Sequence, residues 1–190
     1  MEFFKNFSAN FHPITDDSLE EIYGLLKVKK YSKNHQIVKL DQTPKNFYIL
    51  KQGVIRAYSI DEKGKEHTKT IYTPISTSGD LGALIKKAPS TLIYECLSDC
   101  EVIECSYQDF YNLSLKHHDV SIFHYKVLQH IYVREVSKIL ELQTLDATQR
   151  YKSLQEKHPG IDNLINQYHI ASYLNITPVQ LSRIRKNYIY

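Results

Sequence analysis

The residues best placed to do chemistry lie near the end of the chain, in Tyr168-His-Ile-Ala-Ser-Tyr-Leu-Asn-Ile-Thr-Pro-Val-Gln-Leu-Ser-Arg-Ile-Arg-Lys-Asn-Tyr. The segment reads as helix, tight turn, helix. Ile170, Ala171 and Leu174 make one apolar face, and Ala171 is small enough to let a second helix cross closely. Asn175 falls where the turn needs left-handed backbone, which Gly and Asn adopt most easily. Ile176 plugs the turn. Thr177 caps the second helix and Pro178 takes its first position, where a missing N–H costs nothing. Thr177-x-x-Gln180 has capping-box spacing. Leu181 and Ile184 face inward. Val179, Gln180, Ser182, Arg183 and Lys186 are left on the outer face, with Arg185 toward one side.

That outer face suits the major groove of double-stranded DNA. An α-helix fits the groove, and its N-terminal half reaches base edges. Arg183 can bond bidentately to guanine and Gln180 can read adenine, while Ser182 permits close approach. The positive helix start and hydroxyls such as Thr177 favour phosphate. The competing reading is a helical hairpin that only packs. Turn, cap, small residue and basic face all agree on the first.

Charge points the same way. The formal net charge is +3. Residues 1–145 are neutral overall, so the excess lies in 146–190, where Arg150, Lys152, Lys157, Arg183, Arg185 and Lys186 outnumber Asp146, Glu156 and Asp162. A basic terminus on a neutral body fits a negatively charged partner, nucleic acid first.

Other chemistries fit poorly. Cys96, Cys100 and Cys105 are odd in number and clustered, unlike a secreted disulfide framework, and an iron–sulfur cluster would normally want a fourth. They read as small apolar packing residues on strands. The histidines are scattered, and His117, His118, His124 and His130 contain no i, i+4 pair. No metal site, cofactor or catalytic group is expected, and no nucleophile elbow or Gly-rich phosphate loop stands out. The chain is therefore not expected to be an enzyme. With 42% hydrophobic and 24% charged residues among 190, it has the composition of a globular protein rather than a disordered one. No apolar run is long enough for a membrane span and no signal peptide is evident, so no membrane partner is expected and the expected location is the cytoplasm.

The elements that must position this C-terminal site come in three textures. Leu19, Ile22, Leu25 and Leu26 give a short helix over 15–26. From Val28 to about Tyr107, short β-branched and aromatic runs alternate with turn signals such as Thr43-Pro44, Gln52-Gly53 and Ser78-Gly79-Asp80, which predicts an antiparallel sandwich or barrel. Asp61-Glu62-Lys63-Gly64 is a hairpin turn. From about Asp109 the pattern is helical, and His118 or Asp119 to Thr144 runs without Pro or Gly for about 37 Å. Phe123, Val127, Leu128, Ile131, Ile139, Leu142 and Leu145 lie near 3-and-4 spacing along it, an apolar stripe long enough for a dimer seam. The alternative is packing on the chain's own β-domain. Leu145-Asp-Ala-Thr148 reads as a hinge, with Asp146 or Thr148 capping a helix over 149–157.

These features together resemble the Crp/Fnr superfamily of bacterial transcription regulators over nearly the full length. Ile170 to Lys186 and Thr148-Gln-Arg-Tyr-Lys-Ser-Leu look like the Bacteroidetes-type subgroup. Phe47-Tyr-Ile-Leu-Lys-Gln-Gly-Val-Ile-Arg-Ala-Tyr and the Gly64 hairpin resemble the family's β-roll. The resemblance implies an α+β fold: an antiparallel cyclic-nucleotide-binding-like β-roll sensor with flanking helices (1–118), a dimerisation helix (119–145) and a small all-α helix-turn-helix domain (146–190). It implies a homodimer on a pseudo-palindromic DNA site, with RNA polymerase as a further partner.

Two departures qualify it. Cyclic-nucleotide binders of this fold carry Gly-Glu in a loop and an Arg followed by Ser or Thr about ten residues on. Here the loop is Gly79-Asp80-Leu81-Gly82-Ala83-Leu84, which puts Ala83 where the Glu is expected, and Ser90-Thr91 puts Ser90 where the Arg is expected. A buried phosphate without its cation is heavily penalised. No cyclic-nucleotide response is expected, and the effector is another small molecule or none. The second departure is that four residues follow Lys186, too few for a β-hairpin wing, so a full wing is not expected. The alternative function is a degenerate regulator working through protein contacts, or a sensor of a non-nucleotide small molecule.

Overall fold

The computed structural model describes residues 1–188, without the side chain of Tyr188. Eight strands form two four-stranded sheets, antiparallel throughout. β1 (Lys27–Tyr31), β8 (Cys100–Ser106), β3 (Asn46–Gln52) and β6 (Ser76–Ser78) make the first, in that order. β2 (Gln36–Val38), β7 (Ile93–Cys96), β4 (Ile55–Ile60) and β5 (Glu66–Tyr72) make the second. The α+β architecture matches the expectation of an antiparallel β-roll with flanking helices and a C-terminal helical unit.

Sequence reasoning named no strand at β1 or β6. β1 pairs only with β8 and is an edge strand. Its Lys27, Lys29 and Lys30 are exposed, a charged edge that resists pairing with other chains. The β4–β5 hairpin turns as expected: Gly64 N–H donates to the Asp61 carbonyl at 2.9 Å and Gly64 has φ +77°.

Between the sheets lie Val38, Tyr48, Leu50, Ile55, Ala57, Tyr72, Tyr94, Cys96, Cys100 and Val102. All three cysteines are free and buried. Burial pushes the Cys105 thiol up to about 12. Gly53 is required at the β3–β4 turn. Its φ is +95°, and a Cβ there would lie 2.4 Å from the Asp99 carbonyl oxygen.

A second core joins the first sheet to four helices. α1 (Glu2–Ala9), absent from the sequence reading, brings Phe4 and Phe7; α2 (Asp16–Leu25) brings Leu19 and Ile22; α4 (Tyr107–Lys116) brings Phe110 and Leu113. The fourth is α5 (His118–Thr144), whose first turns bring Val120 and Phe123. Asp119 fixes this junction. Its carboxylate accepts from Thr15 N–H and hydroxyl at 2.9 Å each, from Ser18 Oγ at 3.0 Å and from Val120 N–H at 2.9 Å. Burial opposes the charge, but these bonds bring the carboxyl down to about 2.

A third core belongs to the C-terminal helices α6 (Ala147–Lys157), α7 (Ile161–Leu164), α8 (Gln167–Tyr173) and α9 (Pro178–Tyr188). Tyr151, Leu154, Ile161, Ile165, Ile170, Ala171, Leu174 and Leu181 close it, and Val54, Ile71 and Leu97 of the β-roll join it. The Ser172 hydroxyl accepts from Thr68 N–H at 2.9 Å, tying α8 to β5. Of the two caps left open for α6, Asp146 holds it, in a reciprocal box with Gln149. Among the described residues, no helix is long and apolar enough to cross a membrane.

Candidate nucleic-acid interface and effector pocket

The turn between α8 and α9 is built from the residues expected to build it. Asn175 is left-handed at φ +54°. Its N–H donates to the Ser172 carbonyl at 3.1 Å, and Ile176 N–H to the Ala171 carbonyl at 3.0 Å. This pair of bonds is the Schellman arrangement that closes a helix with a left-handed residue. The next helix starts at once. Gln180 N–H donates to Thr177 Oγ1 at 3.2 Å, while Gln180 Oε1 accepts from Thr177 N–H at 2.9 Å. Leu181 is fully buried and fixes the roll of α9. Val179, Gln180, Ser182, Arg183 and Lys186 consequently stand in solvent, Val179 at 62% exposure.

Two side chains on this helix are already engaged. Gln180 Oε1 serves the cap, so bidentate reading of adenine requires opening the capping box. Arg185 is half-buried and turns toward Asp162, 3.7 Å away. Asp162 also accepts from the Tyr151 hydroxyl at 2.5 Å. Arg183 and Lys186 are exposed. The tip of the β4–β5 hairpin lies across an open cleft from Thr177, Pro178 and Gln180, with Lys65 and His67 on its near wall.

The effector loop is closed on itself. Asp80 caps α3 (Leu81–Lys86) by accepting from Ala83 N–H at 3.0 Å. Its other carboxylate oxygen accepts from the Ser90 hydroxyl at 2.7 Å. Ser90 Oγ also lies 2.8 Å from the Leu92 carbonyl and is 1% exposed. The carboxylate facing Ser90, ten residues before it, is Asp80. Ala83 is a buried residue inside α3. Gly79 holds φ +135°, and its carbonyl accepts from the Tyr94 hydroxyl at 2.9 Å. Tyr94 stacks on Tyr72 with ring centres 6.0 Å apart. Gly82 and Thr91 are exposed.

Arg56, on β4, is not free to stand in for the missing cation. It is 3% exposed, and its guanidinium bonds Glu95 Oε2 at 2.8 and 2.6 Å and Glu66 at 2.6 Å, over the face of Tyr58. These residues do not fit a cyclic phosphate: the Arg56 guanidinium is spent on two carboxylates, Asp80 is bonded to Ser90, and Gly79 to Tyr94.

The long helix departs from the expected stripe. Phe123 is buried in the chain's own core, against Phe4, Phe7, Phe11 and Phe110 at 6.0–6.3 Å. It cannot meet another copy. Val127, Leu128 and Ile131 are half-buried toward the roll, where they line an apolar cavity with Phe47 and Phe110. Ile139 and Leu142 are exposed, at 55% and 41%. They share the solvent side of α5 with an exposed set that sequence reasoning missed: Tyr125, Tyr132, Val133, Val136 and Leu140. Tyr125, Tyr132 and Ile139 recur every seven residues, a signal that was present in the sequence.

Comparison with known proteins follows this geometry. Residues 28–117 match the cyclic nucleotide-binding domain family. That domain covers the roll and α4. No curated protein matches the sequence. Among solved structures, FixK2 from Bradyrhizobium japonicum is similar with a TM-score of 0.74 at 15% identity, covering 86% of this chain and 84% of that one. The c-di-GMP responsive global regulator CLP of Xanthomonas campestris gives 0.68 at 15% identity, with 91% of each chain covered. A protein described as a Crp/Fnr-family transcriptional regulator from Eubacterium rectale gives 0.70 at 14% identity, covering 94% of this chain and 87% of that one. At these identities the shared property is the fold, and it extends well beyond the cyclic nucleotide-binding domain into the C-terminal helices. Among the described residues, no group of His, Cys, Asp and Glu is placed to hold a metal.

Proposed function

We propose that the chain is a DNA-binding transcription regulator of the Crp/Fnr type. The observation that carries this reading is the outer face of α9, where a complete turn and cap present Val179, Gln180, Ser182, Arg183 and Lys186 to solvent on a helix locked by Leu181. The division into a sensor (1–118), a dimerisation helix (119–145) and a DNA-binding unit (146–190) belongs to this proposal, as does the Bacteroidetes-type subgroup. Two copies pair through the exposed side of α5, along Tyr125, Tyr132, Val136 and Ile139, and place two α9 helices on a pseudo-palindromic site. Arg183 reads a base edge and Lys186 holds phosphate.

The regulator does not answer to cyclic nucleotides, because Ser90 stands where a cation is needed and is bonded to Asp80. A sensor of some other small molecule is a second reading, supported by the apolar cavity between the roll and α5.

Fluorescence anisotropy with labelled duplexes across a salt series tests the proposal. Sequence-dependent binding that weakens steeply with salt is expected, unchanged by cyclic AMP. Arg183→Ala is expected to lose sequence preference while salt-dependent binding persists. Indifference of both affinity and preference to Arg183→Ala would support the protein-contact reading instead.

A further inference from the structure

A groove of about 340 Å³ opens where β5, the middle of α5 and the C-terminal helices meet. Its charge is lopsided. Lys69, Arg134, Lys138 and Lys157 line it, against the single carboxylate of Glu135. Glu135 is already divided between Lys69 at 3.1 Å and Arg134 at 3.2 Å. Lys157 is held by Glu141.

Lys138 has no carboxylate partner among the described residues. Its ammonium sits 3.2 Å from the centre of the Tyr173 ring and donates to the Tyr173 carbonyl at 3.2 Å. That leaves two of its three N–H donors unspent. Burial brings Lys138 down to about 8; Glu141 and Glu135 oppose the shift, and Lys157 and Arg150 add to it. Arg134 lies one turn earlier on the same face of α5. Its Nε is buried without a hydrogen-bond partner, and its guanidinium lies over Tyr72. A guanidinium with an idle donor and a desolvated ammonium thus converge on one space.

We infer that this groove is an anion-binding site: Arg134 and Lys138, backed by Lys69 and Lys157, take a small ligand bearing phosphate or carboxylate groups. The volume is that of a metabolite-sized pocket. Tyr72 and Tyr173 supply apolar walls for the ligand's carbon skeleton. The groove adjoins the apolar cavity, with which it shares Tyr72 and Arg134, and it is walled by both the roll and the C-terminal helices. An anion bound there ties the two together, next to the bond that His158 Nδ1 makes with Thr73 Oγ1 at 3.1 Å. The inference does not rest on DNA binding.

Calorimetry on the full chain, with pyrophosphate and citrate at constant ionic strength, tests it. Saturable binding of at least one probe is expected, with a Kd of roughly 1 mM or tighter. The tighter probe identifies the headgroup chemistry as phosphate or carboxylate. Lys138→Met keeps the packing on Tyr173 and is expected to weaken binding roughly tenfold, equivalent to about 1.4 kcal/mol. Lys152→Ala, exposed on α6 and outside the groove, is expected to change nothing. If Lys138→Met does not fold, Lys157→Gln, 46% exposed at its side chain, replaces it with a smaller expected loss. Absence of saturation with both probes overturns the inference, as does an equal effect of the groove variants and Lys152→Ala.

Discussion

The effector loop and the α8–α9 turn are built from the same kinds of bond and end in opposite states. Around Asp80 the side chains that could receive a ligand bond one another: the Ser90 hydroxyl and Ala83 N–H donate to the carboxylate, and the Tyr94 hydroxyl to the Gly79 carbonyl. Around Asn175 and Thr177 the backbone bonds are also complete, but the side chains beyond them point to solvent and are largely uncommitted. A site keeps its capacity to bind when its scaffold is satisfied by backbone and its side chains are left over. It loses that capacity when its side chains satisfy each other.

This contrast predicts a separation of effects. Changes in the roll should cost stability and leave DNA reading intact; changes on the outer face of α9 should do the reverse. The largest effect is expected for Arg56→Ala. Removing a 3% exposed guanidinium strands Glu66 and Glu95, and breaking a buried pair typically costs about 3–5 kcal/mol. Urea unfolding would register it as a lower midpoint, and Arg56→Lys should recover only part. A loss of DNA preference at full stability would break the contrast.

Arg183→Ala is next. Loss of one base contact is worth about 1–3 kcal/mol of discrimination, while an exposed position should move stability by no more than about 0.5 kcal/mol. Anisotropy and thermal unfolding on the same preparation measure both. Thr177→Ala sits between the two classes. It removes the cap of α9 and should cost about 1 kcal/mol of stability. It should also weaken DNA binding, because Gln180 N–H loses its acceptor at Thr177 Oγ1 and the start of α9 frays.

The smallest effects come from pH. Asp119 goes from the ordinary 3.8 down to about 2, so its bonds to Thr15 and Ser18 stabilise the fold above 3.8, and that contribution is lost as pH falls toward 2. His169, on α8, goes from the ordinary 6.5 down to about 4, through burial and then the charge of Arg56. The unfolded chain takes up that proton first, so stability declines as pH falls from 6.5 toward 4. Midpoints measured against pH should show both windows. Asp119→Asn should flatten the lower one and His169→Gln the upper.

The α8–α9 turn was legible because local chemistry dictates it. Asn175, Thr177, Pro178 and Gln180 act within a few residues of one another, and each has one conformational preference. Most strands of the roll were legible for the same reason. What escaped the sequence depends on distant partners. α1 is short, and its Phe4 and Phe7 have meaning only against Phe110 and Phe123. Without α1 in view, spacing alone places Phe123 in a dimer seam; its burial against α1 gives it the alternative role, packing on the chain's own core. Asp80 and Ser90 are ten residues apart, and only the fold shows that they bond. The Arg134–Lys138 groove joins three segments that no sequence window spans.

Selection of duplexes from a random pool by the full chain tests the central claim most directly. The account predicts enrichment of one sequence with two-fold related half-sites centred about 10 base pairs apart, the same with and without cyclic AMP, and its loss with Arg183→Ala. Recovery of no preferred sequence would contradict it, and so would enrichment that appears only when cyclic AMP is present.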